Sequence, residues 1–400
     1  MDGGSFRKRL GRAHGGVAIL ALIALVAFTG CAGDDGGGGT TQDGGGDKGT
    51  LNLALMGPTT GDYANYGTDW ENAINLAVEE VNSGDECDGY TLETQTYDDL
   101  ADPQAGVSAA NQLAASETFA LIGPIFSSVT IPVSEVTERA QIPSFNASSA
   151  TEVTDRGLGF VFRMAFRDDQ AGPFDAGTAR DIMGADTAIA IHDNSAYAKG
   201  LAQEFVKAFA EQGGEVLATE VINPGESDYT AVLSDIKTQD PDVVYYSGYF
   251  AEGGLLVKQG KELGLEKDGP GTGWLFGNSN FDPSFTEIAG DAAEGVLFGT
   301  WPSPAVDPAM AEYAGAYEDA NNAQPGALGH WGYDAVKLIC AGITETGEAD
   351  GQALADLLHS GDFSYEGVSG PIEYDEKGDR KFPPLTVLTV ENGEFTVYGE

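Results

Sequence analysis

From residue 51 onward, short apolar runs alternate with longer segments in which apolar residues recur every three or four positions. The short runs predict β-strands at 51–57, 91–97, 119–123, 142–146, 187–192, 215–222, 242–248 and 273–277. The longer segments predict helices at 67–82, 103–116, 128–140, 170–183, 198–212, 229–238 and 252–263. Short strands separated by helices of about ten residues or more are typical of βαβ units. The pattern therefore predicts an α/β fold with parallel sheets and helices on both faces.

This alternation divides near residues 160–170, with about four βα units on each side, which predicts two doubly wound lobes. The tail differs: predicted helices at 308–321, 331–346 and 351–359 are followed by short strands near 372–374 and 385–390. A doubly wound sheet binds ligands at the carboxyl ends of its strands. Two such lobes, joined by crossovers, would face each other across a cleft that closes by hinge motion.

The chain before residue 51 has a different character. A basic cluster is formed by Arg7, Lys8, Arg9 and Arg12. The apolar run that follows, 17–28, is shorter than the ~20 residues that a membrane-spanning helix needs, and this combination is typical of an export signal. Phe28-Thr29-Gly30-Cys31 resembles a lipobox, which predicts a signal peptide over 1–31 and a lipid on Cys31. A plain secretory peptide cut elsewhere, or an uncleaved anchor, is the alternative.

Residues 32–50 contain nine glycines and no aliphatic residue larger than alanine. Such a composition predicts a flexible tether. A lipid at Cys31, a tether and then a globular body predict an extracytoplasmic protein that is anchored to the outer face of the cell membrane.

The charge is strongly acidic, with 63 Asp and Glu against 20 Lys and Arg and a formal net charge of −43. A surface that binds nucleic acid needs a basic face, so we expect no nucleic-acid partner. The excess of acids keeps a protein soluble but costs self-repulsion, which high salt screens. A halophilic source fits this charge, and a merely acidic exported protein fits it too.

Motifs for covalent chemistry are absent: the sequence has no G-x-S-x-G, H-E-x-x-H, C-x-x-C or P-loop pattern. Three cysteines do not supply a multi-cysteine zinc site. The adjacent acids Asp98-Asp99 and Asp168-Asp169 are interpreted as solvated turn residues rather than acid–base pairs. We therefore expect no catalytic residue, no metal and no cofactor.

Two predicted strand-to-helix junctions carry hydroxyl side chains, one in residues 125–130 and the next in residues 145–150. Hydroxyls at a helix start either cap the helix or line a pocket in which the helix N-terminus favours an anion. The tyrosines Tyr63, Tyr66, Tyr197 and Tyr249 also lie near predicted strand ends, where they either pack or contact a ligand.

At these residues the sequence resembles the branched-chain amino-acid-binding proteins of ABC importers, the leucine/isoleucine/valine-binding type with the type I periplasmic-binding fold, here in lipoprotein form. The resemblance covers almost all of 51–400. Its matching stretches are 57–67, 97–99, 122–130, 146–157, 191–200, 242–249 and 369–379. No single stretch is specific, but their number and order are.

The resemblance implies a site and a hinge. Its carboxylate contacts fall on Ser127, Ala147 and Ser149, and its aromatic walls fall on Tyr66, Tyr197 and Tyr249. Three hinge crossovers are expected near 165–168, 298–302 and 370–375. Lobe 1 is then 51–167 plus 300–371, and lobe 2 is 168–299 plus 372–400.

One position departs from the family pattern. Where amino-acid binders of this family place an acid for the ligand's ammonium group, this chain has Ser279, and the family's pocket aromatic beside the third crossover falls on Leu328. An unpaired buried ammonium is costly. Either Asp282 or Glu252 takes over the pairing, or the ligand lacks a free ammonium.

Cys87 and Cys340 are left with two interpretations. Export permits a disulfide between them, and two free buried cysteines are the alternative.

The sequence as a whole predicts a binding protein and not an enzyme. It would capture a small polar solute, either an amino acid or a related carboxylate or amide, between two lobes and deliver it to the membrane permease of an ABC importer. The alternatives are a ligand-binding sensor that reports to a separate signalling partner and, less favoured, an exported hydrolase.

Overall fold

Two large β-sheets organise the computed structural model, which describes residues 48–302 and 307–399. These residues belong to one compact unit, Gly45–Glu400. The first sheet has five strands in the order β2-β1-β3-β4-β5, and all neighbouring pairs are parallel. Its strands are β1 (Gly49–Gly57), β2 (Tyr90–Asp98), β3 (Thr118–Ile122), β4 (Ser144–Asn146) and β5 (Val161–Arg163).

The second sheet has seven strands in the order β14-β13-β10-β9-β8-β6-β7. Its strands are β6 (Thr187–His192), β7 (Glu215–Val221), β8 (Val243–Tyr246), β9 (Trp274–Phe276), β10 (Leu297–Thr300), β13 (Thr386–Glu391) and β14 (Glu394–Val397). β6 to β10 run parallel, whereas β13 is antiparallel to β10 and to β14. A separate two-stranded sheet consists of β11 (Tyr365–Gly367) and β12 (Gly370–Ile372).

Helices cover both sheets, as right-handed crossovers require. Those between strands of the first sheet are α1 (Ala64–Gly84), α2 (Pro103–Leu113), α3 (Ser127–Ala140) and α4 (Glu152–Asp155). Those associated with the second sheet are α5 (Asp168–Gly177), α6 (Ala196–Glu211), α7 (Thr230–Gln239), α8 (Phe250–Leu263) and α9 (Pro283–Ala289). The tail adds α10 (Pro308–Asn321), α11 (Gly329–Thr346) and α12 (Gly351–His359).

Helix periodicity explains how these helices form the core. In α6, Leu201, Phe205 and Phe209 recur every four residues and are fully buried. Side chains at that spacing lie on one face of a helix, and burying each stabilises the fold by roughly 1.5–3 kcal/mol before entropy is counted. In α11, Ala335, Ile339 and Ile343 repeat the pattern.

We call the first sheet with its helices the first lobe and the second sheet with its helices the second lobe. The chain passes between the two sheets three times: after β5, after β10 and before β13. α11 packs on α1, so the tail helices return to the first lobe before the last two strands complete the second sheet. A disulfide joins Cys87, which follows α1, to Cys340 on α11, with a Cα–Cα distance of 4.6 Å. The structure thus decides the question that the sequence left open.

A buried ionic cluster joins the third chain segment that passes between the sheets to the first such segment. Asp379 Oδ1 accepts a hydrogen bond from Arg163 Nε at 2.7 Å, and its Oδ2 accepts one from Arg167 Nη1 at 2.6 Å. Thr154 also donates to Asp379, at 2.8 Å. Burial would raise the pKa of Asp379, but Arg163, Thr154 and Arg167 outweigh it and lower that pKa. The turn around Asp379 is therefore bonded to the first lobe, although the sequence boundary at residue 372 assigned it to the second.

The predicted α/β class with two doubly wound sheets is confirmed, and the eight strands predicted between residues 51 and 277 are all present, with ends shifted by at most two residues. Four strands in the described part of the chain were missed: β5, β10, β11 and β14. β5 and β10 are only three and four residues long and wholly buried. Helices α4 and α9 were also missed, and α1 begins at Ala64 rather than at residue 67.

The predicted tether ends earlier than residue 50. Gly49 and Thr50 already belong to β1, where they pair with Tyr90 and Thr91 of β2. The rest of the tether, the export signal and Cys31 lie outside the described residues. Among the residues that the structure describes, no helix has the length and hydrophobicity needed to cross a membrane.

Candidate ligand-binding site

The same strand order occurs in both sheets, and it places two junctions opposite one another. The first sheet has the order β2-β1-β3-β4-β5, and the second contains the equivalent order β7-β6-β8-β9-β10. In each sheet the order of connection reverses between the second and third of these strands, that is, between β1 and β3 and between β6 and β8. Ligands of doubly wound folds bind at such a switch point, beyond the carboxyl ends of the strands. The segments that leave these ends open α1 and α3 in the first lobe and α6 and α8 in the second.

A single cavity lies where these four helix starts meet. It encloses about 380 Å³ of space between protein atoms, part of which opens to solvent. All seven residues predicted as ligand contacts line it: Tyr66, Ser127, Ala147, Ser149, Tyr197, Tyr249 and Ser279. Leu328 lines it too. The sequence missed the others: Ile125, Phe126, Ser148, Ala165, Phe166, Asn278 and Trp331.

The first-lobe wall is built around the start of α3. Phe126 is the N-cap residue, and no side chain caps the helix, so the capping interpretation of the hydroxyls is wrong for Ser127. Ser127 Oγ instead accepts a hydrogen bond from the Ala150 N–H at 3.3 Å. Its own proton remains available to a ligand acceptor, next to a helix start whose first N–H groups and dipole favour an anion.

Neighbouring hydroxyls fix the loop after β4. Thr130 Oγ1 and Ser148 Oγ are 2.6 Å apart, and Ser148 also donates to the Ile125 carbonyl at 3.2 Å. These bonds join the second junction to the first. They hold Ala147 and Ser149 beside Ser127, which is the arrangement that the two hydroxyl-bearing junctions predicted.

Asp168 lies behind this wall and is not the solvated turn residue that we expected. It is 1% exposed, and burial raises its pKa to about 7, with the Ser149 hydroxyl and Arg163 opposing the rise. Asp99 is also buried, and its pKa is raised to about 6 for the same reason. Their neighbours Asp98 and Asp169 are more exposed, but they lie at the end of β2 and in the first turn of α5 rather than in turns between elements.

Aromatic rings close the cavity from both lobes. Phe126 and Tyr249 have ring centroids 4.8 Å apart, Tyr197 and Tyr249 are 5.3 Å apart, and Tyr66 and Phe250 are 5.2 Å apart. These are ordinary separations for packed aromatic pairs. Burial raises the pKa of Tyr66, Tyr197 and Tyr249 above the usual tyrosine value, so their hydroxyls are uncharged hydrogen-bonding groups. Tyr66 lies in the first turn of α1 rather than in the loop where we expected it.

Hydrogen bonds cross directly between the lobes. The Tyr66 hydroxyl donates to the Ser279 carbonyl at 2.5 Å, and Asn65 Nδ2 donates to Ser284 Oγ at 2.7 Å. The structure therefore shows the two lobes in contact around the cavity, which residues at the switch point of each sheet enclose.

The two acids considered as substitutes for an acid at Ser279 are occupied elsewhere. Asp282 caps α9 by accepting from Ser284 N at 2.8 Å. Glu252 accepts from Gly225 N at 3.0 Å. Neither lines the cavity, and no acidic side chain does among the described residues. No group of histidine, cysteine and acidic side chains in the described ranges has a metal-binding arrangement.

Two lobes with a shared cavity at their switch points define a class of protein, the two-lobed solute-binding proteins. The comparisons with known sequences agree. The chain matches the periplasmic binding protein family over residues 50–394 and belongs to that family. The predicted resemblance and the type I fold are thus confirmed.

Curated relatives are binding proteins of the same kind. The chain is 33% identical to the leucine-, isoleucine-, valine-, threonine- and alanine-binding protein of Pseudomonas aeruginosa, over 87% of this chain and 89% of that protein. It is 32% identical to Leu/Ile/Val-binding protein homolog 1 of Brucella abortus, over 94% and 95%.

Solved structures give the same result. The leucine-binding protein LivK of Thermotoga maritima has a TM-score of 0.80 and 28% identity, over 87% of this chain and 98% of that one. The branched-chain amino acid transporter substrate-binding protein LivJ of Streptococcus pneumoniae, in complex with isoleucine, has a TM-score of 0.79 and 25% identity, over 86% and 97%. The family consists of extracytoplasmic binding proteins of ABC transporters rather than enzymes, so the hydrolase alternative is excluded.

Proposed function

We propose that the protein is the lipid-anchored solute-binding component of an ABC importer. It captures a small carboxylate-bearing solute between its lobes and delivers it to a membrane permease. The observation that carries this proposal is the cavity itself: side chains from the switch points of both sheets line one small space and bond across it. The names of the relatives support a substrate of amino-acid size.

The first-lobe wall would bind the carboxylate. Ser127 offers a hydroxyl proton beside the start of α3, and the loop that holds Ala147 and Ser149 lies next to it. The rings of Tyr66, Tyr197 and Tyr249 would cover the rest of the solute. All seven residues are proposed as ligand contacts on this geometry.

Calorimetric titration with a panel of amino acids and related carboxylates and amides tests the proposal. At least one carboxylate should bind, and Ser127→Ala should weaken it by roughly 1–3 kcal/mol if the hydroxyl donates to it directly. Ser128→Ala is the matched control, since Ser128 is the next residue of α3 and does not line the cavity. If the panel gives no binding, or if the two variants behave alike, the proposed site is wrong.

Hinge motion would open and close the site. We propose lobes of 51–167 plus 300–371 and of 168–299 plus 372–400, with Asp379 bonded across the boundary to Arg163. Small-angle scattering should show a smaller radius of gyration with a bound solute than without one. An unchanged radius would argue against closure.

Anchoring is proposed from the sequence alone, on the lipobox-like residues that end at Cys31. A Cys31→Ser variant should leave the membrane fraction of producing cells and lose incorporation of labelled fatty acid. Unchanged labelling would exclude a lipid at Cys31.

A further inference from the structure

Asn278 presents an unused hydrogen-bond donor to the cavity. It follows β9 in the second lobe, lines the cavity and is 4% exposed. Its Nδ2 atom is buried and has no hydrogen-bond partner among the described residues. Buried polar groups are nearly always paired in folded proteins, so an unpaired amide that lines a binding cavity points to an acceptor on the ligand.

Hydrogen bonds around Asn278 show which atom of its amide group is left unpaired. The Tyr197 hydroxyl accepts from the Ser279 N–H at 3.3 Å, and it donates its own proton to Asn278 Oδ1, also at 3.3 Å. Ser279 Oγ donates to the same oxygen at 3.1 Å. Oδ1 is therefore occupied by two donors, which leaves the N–H groups of Nδ2 for the ligand.

The charges at this end of the cavity also favour a neutral hydrogen-bond acceptor on the ligand. The cavity-lining residues include no acidic side chain, and the lining tyrosines are held neutral by burial. The Ser279 carbonyl already accepts from Tyr66. An ammonium group placed here would find no counter-ion and would meet the like-polarised N–H groups of Asn278, which is unfavourable for a buried charge.

We propose that Asn278 determines specificity by donating to a second, neutral acceptor on the ligand. The preferred solute is then a small carboxylate that carries a carbonyl oxygen in place of an ammonium group, such as a branched 2-oxo acid. This inference rests on the proposed function, because it assumes that the first-lobe wall binds a carboxylate.

Matched pairs of ligands test it. The dissociation constants of 4-methyl-2-oxopentanoate and leucine, and of 3-methyl-2-oxobutanoate and valine, are measured by calorimetry on the purified protein. The oxo acid of each pair should bind at least about tenfold more tightly, because it accepts from Asn278 and carries no buried cation. Equal binding, or tighter binding of the amino acids, would overturn the inference.

Two substitutions locate the effect at Asn278. Asn278→Asp replaces the donor by an anion and should shift the ratio of the two constants at least tenfold toward the amino acid. Asn278→Ala removes the donor without adding charge and should weaken the oxo acid while leaving the amino acid nearly unchanged. Asn322→Asp makes the same chemical change at an exposed position outside the cavity and should leave the ratio unaltered. A ratio that neither Asn278 variant changes would also overturn the inference.

Failure of the inference can be told apart from failure of the proposed function. If leucine binds best and Ser127→Ala weakens it, the site is real and only the role of Asn278 is wrong. If no member of either pair and no compound of the wider panel binds, both proposals fall together.

Discussion

At the scale of single residues, the site depends on side chains whose chemistry is changed by burial. Asp168 is the clearest case, because it lies at the start of α5, in the second lobe, yet touches the ligand wall of the first lobe through Ser149. Its backbone N–H also donates to the Ser149 carbonyl at 2.9 Å. Its protonation state therefore concerns both the stability of the protein and a hydroxyl that lines the cavity.

Asp168 should make the protein less stable as the pH rises from about 4 to about 7. Its pKa is raised from 3.8 to about 7 in the folded protein, so the folded state retains a proton that the unfolded state has lost. Stability from this group is fully present below pH 4 and is lost as the pH rises through 7.

The Asp168→Asn variant isolates this effect, since asparagine has nearly the same shape and does not titrate. The free energy of unfolding of the variant, minus that of the natural protein, should increase from pH 5 to pH 8. Denaturant unfolding at both values measures it. A difference that stays constant with pH would show that Asp168 does not titrate with a raised pKa.

Residues of the site differ in how far the sequence predicts them. Ser127, Ala147 and Ser149 were predicted from the family resemblance, whose matching stretches contain all three positions. Phe166 and Trp331 were missed because an apolar side chain beside other apolar residues is indistinguishable from core. The role of Asn278 depends on which amide atom is already bonded, and only coordinates show that.

At the scale of secondary-structure elements, the disulfide is the clearest stabilising contact that the sequence left undecided. Cys87 and Cys340 are 253 residues apart, so neither periodicity nor spacing relates them. They meet because α11 packs on α1, which brings the tail helices back to the first lobe. Because α11 lies on the first lobe, the chain must cross between the lobes a third time to reach β13 in the second sheet.

Removing the disulfide should lower the free energy of unfolding by roughly 2–5 kcal/mol, because the cross-link closes a long loop in the unfolded chain. A Cys87→Ala/Cys340→Ala variant, compared with the natural protein by urea unfolding, tests this. The natural protein under reducing conditions is the control and should resemble the variant. Since neither cysteine lines the cavity, ligand affinity at moderate temperature should change little. Equal stability with and without the cross-link would contradict the prediction.

At the scale of the whole molecule, the fold was more predictable than its boundaries. Short apolar runs mark most of the strands and a period of about 3.6 marks most of the helices, so the α/β class and both sheets follow from the sequence. β5 and β10 are short buried strands that the pattern did not separate from the segments around them. The bonds of Asp379 to Arg163 and Arg167 were not predicted, because they join residues more than 200 positions apart.

The net charge of the whole molecule, which the sequence alone gives, predicts how its stability depends on salt. With 63 acids against 20 bases, folding brings like charges together, and repulsion among them opposes the compact state. Salt shortens the Debye length from about 30 Å at 0.01 M to about 8 Å at 0.15 M and about 3 Å at 1 M. Most of the repulsion should therefore be screened in the first few tenths of a mole per litre.

We expect the free energy of unfolding to rise steeply with sodium chloride up to roughly 0.3 M, by an amount on the order of a few kcal/mol, and slowly above that concentration. Urea unfolding at a series of salt concentrations measures the curve. Sodium sulfate is the control, because it also strengthens apolar burial. If the stabilisation is such a Hofmeister effect, it should keep rising with concentration and be larger in sulfate. If it is charge screening, it should level off at a similar ionic strength in both salts. A flat curve in sodium chloride would mean that the acidic surface is tolerated without salt, and the halophilic interpretation of the composition would then be wrong.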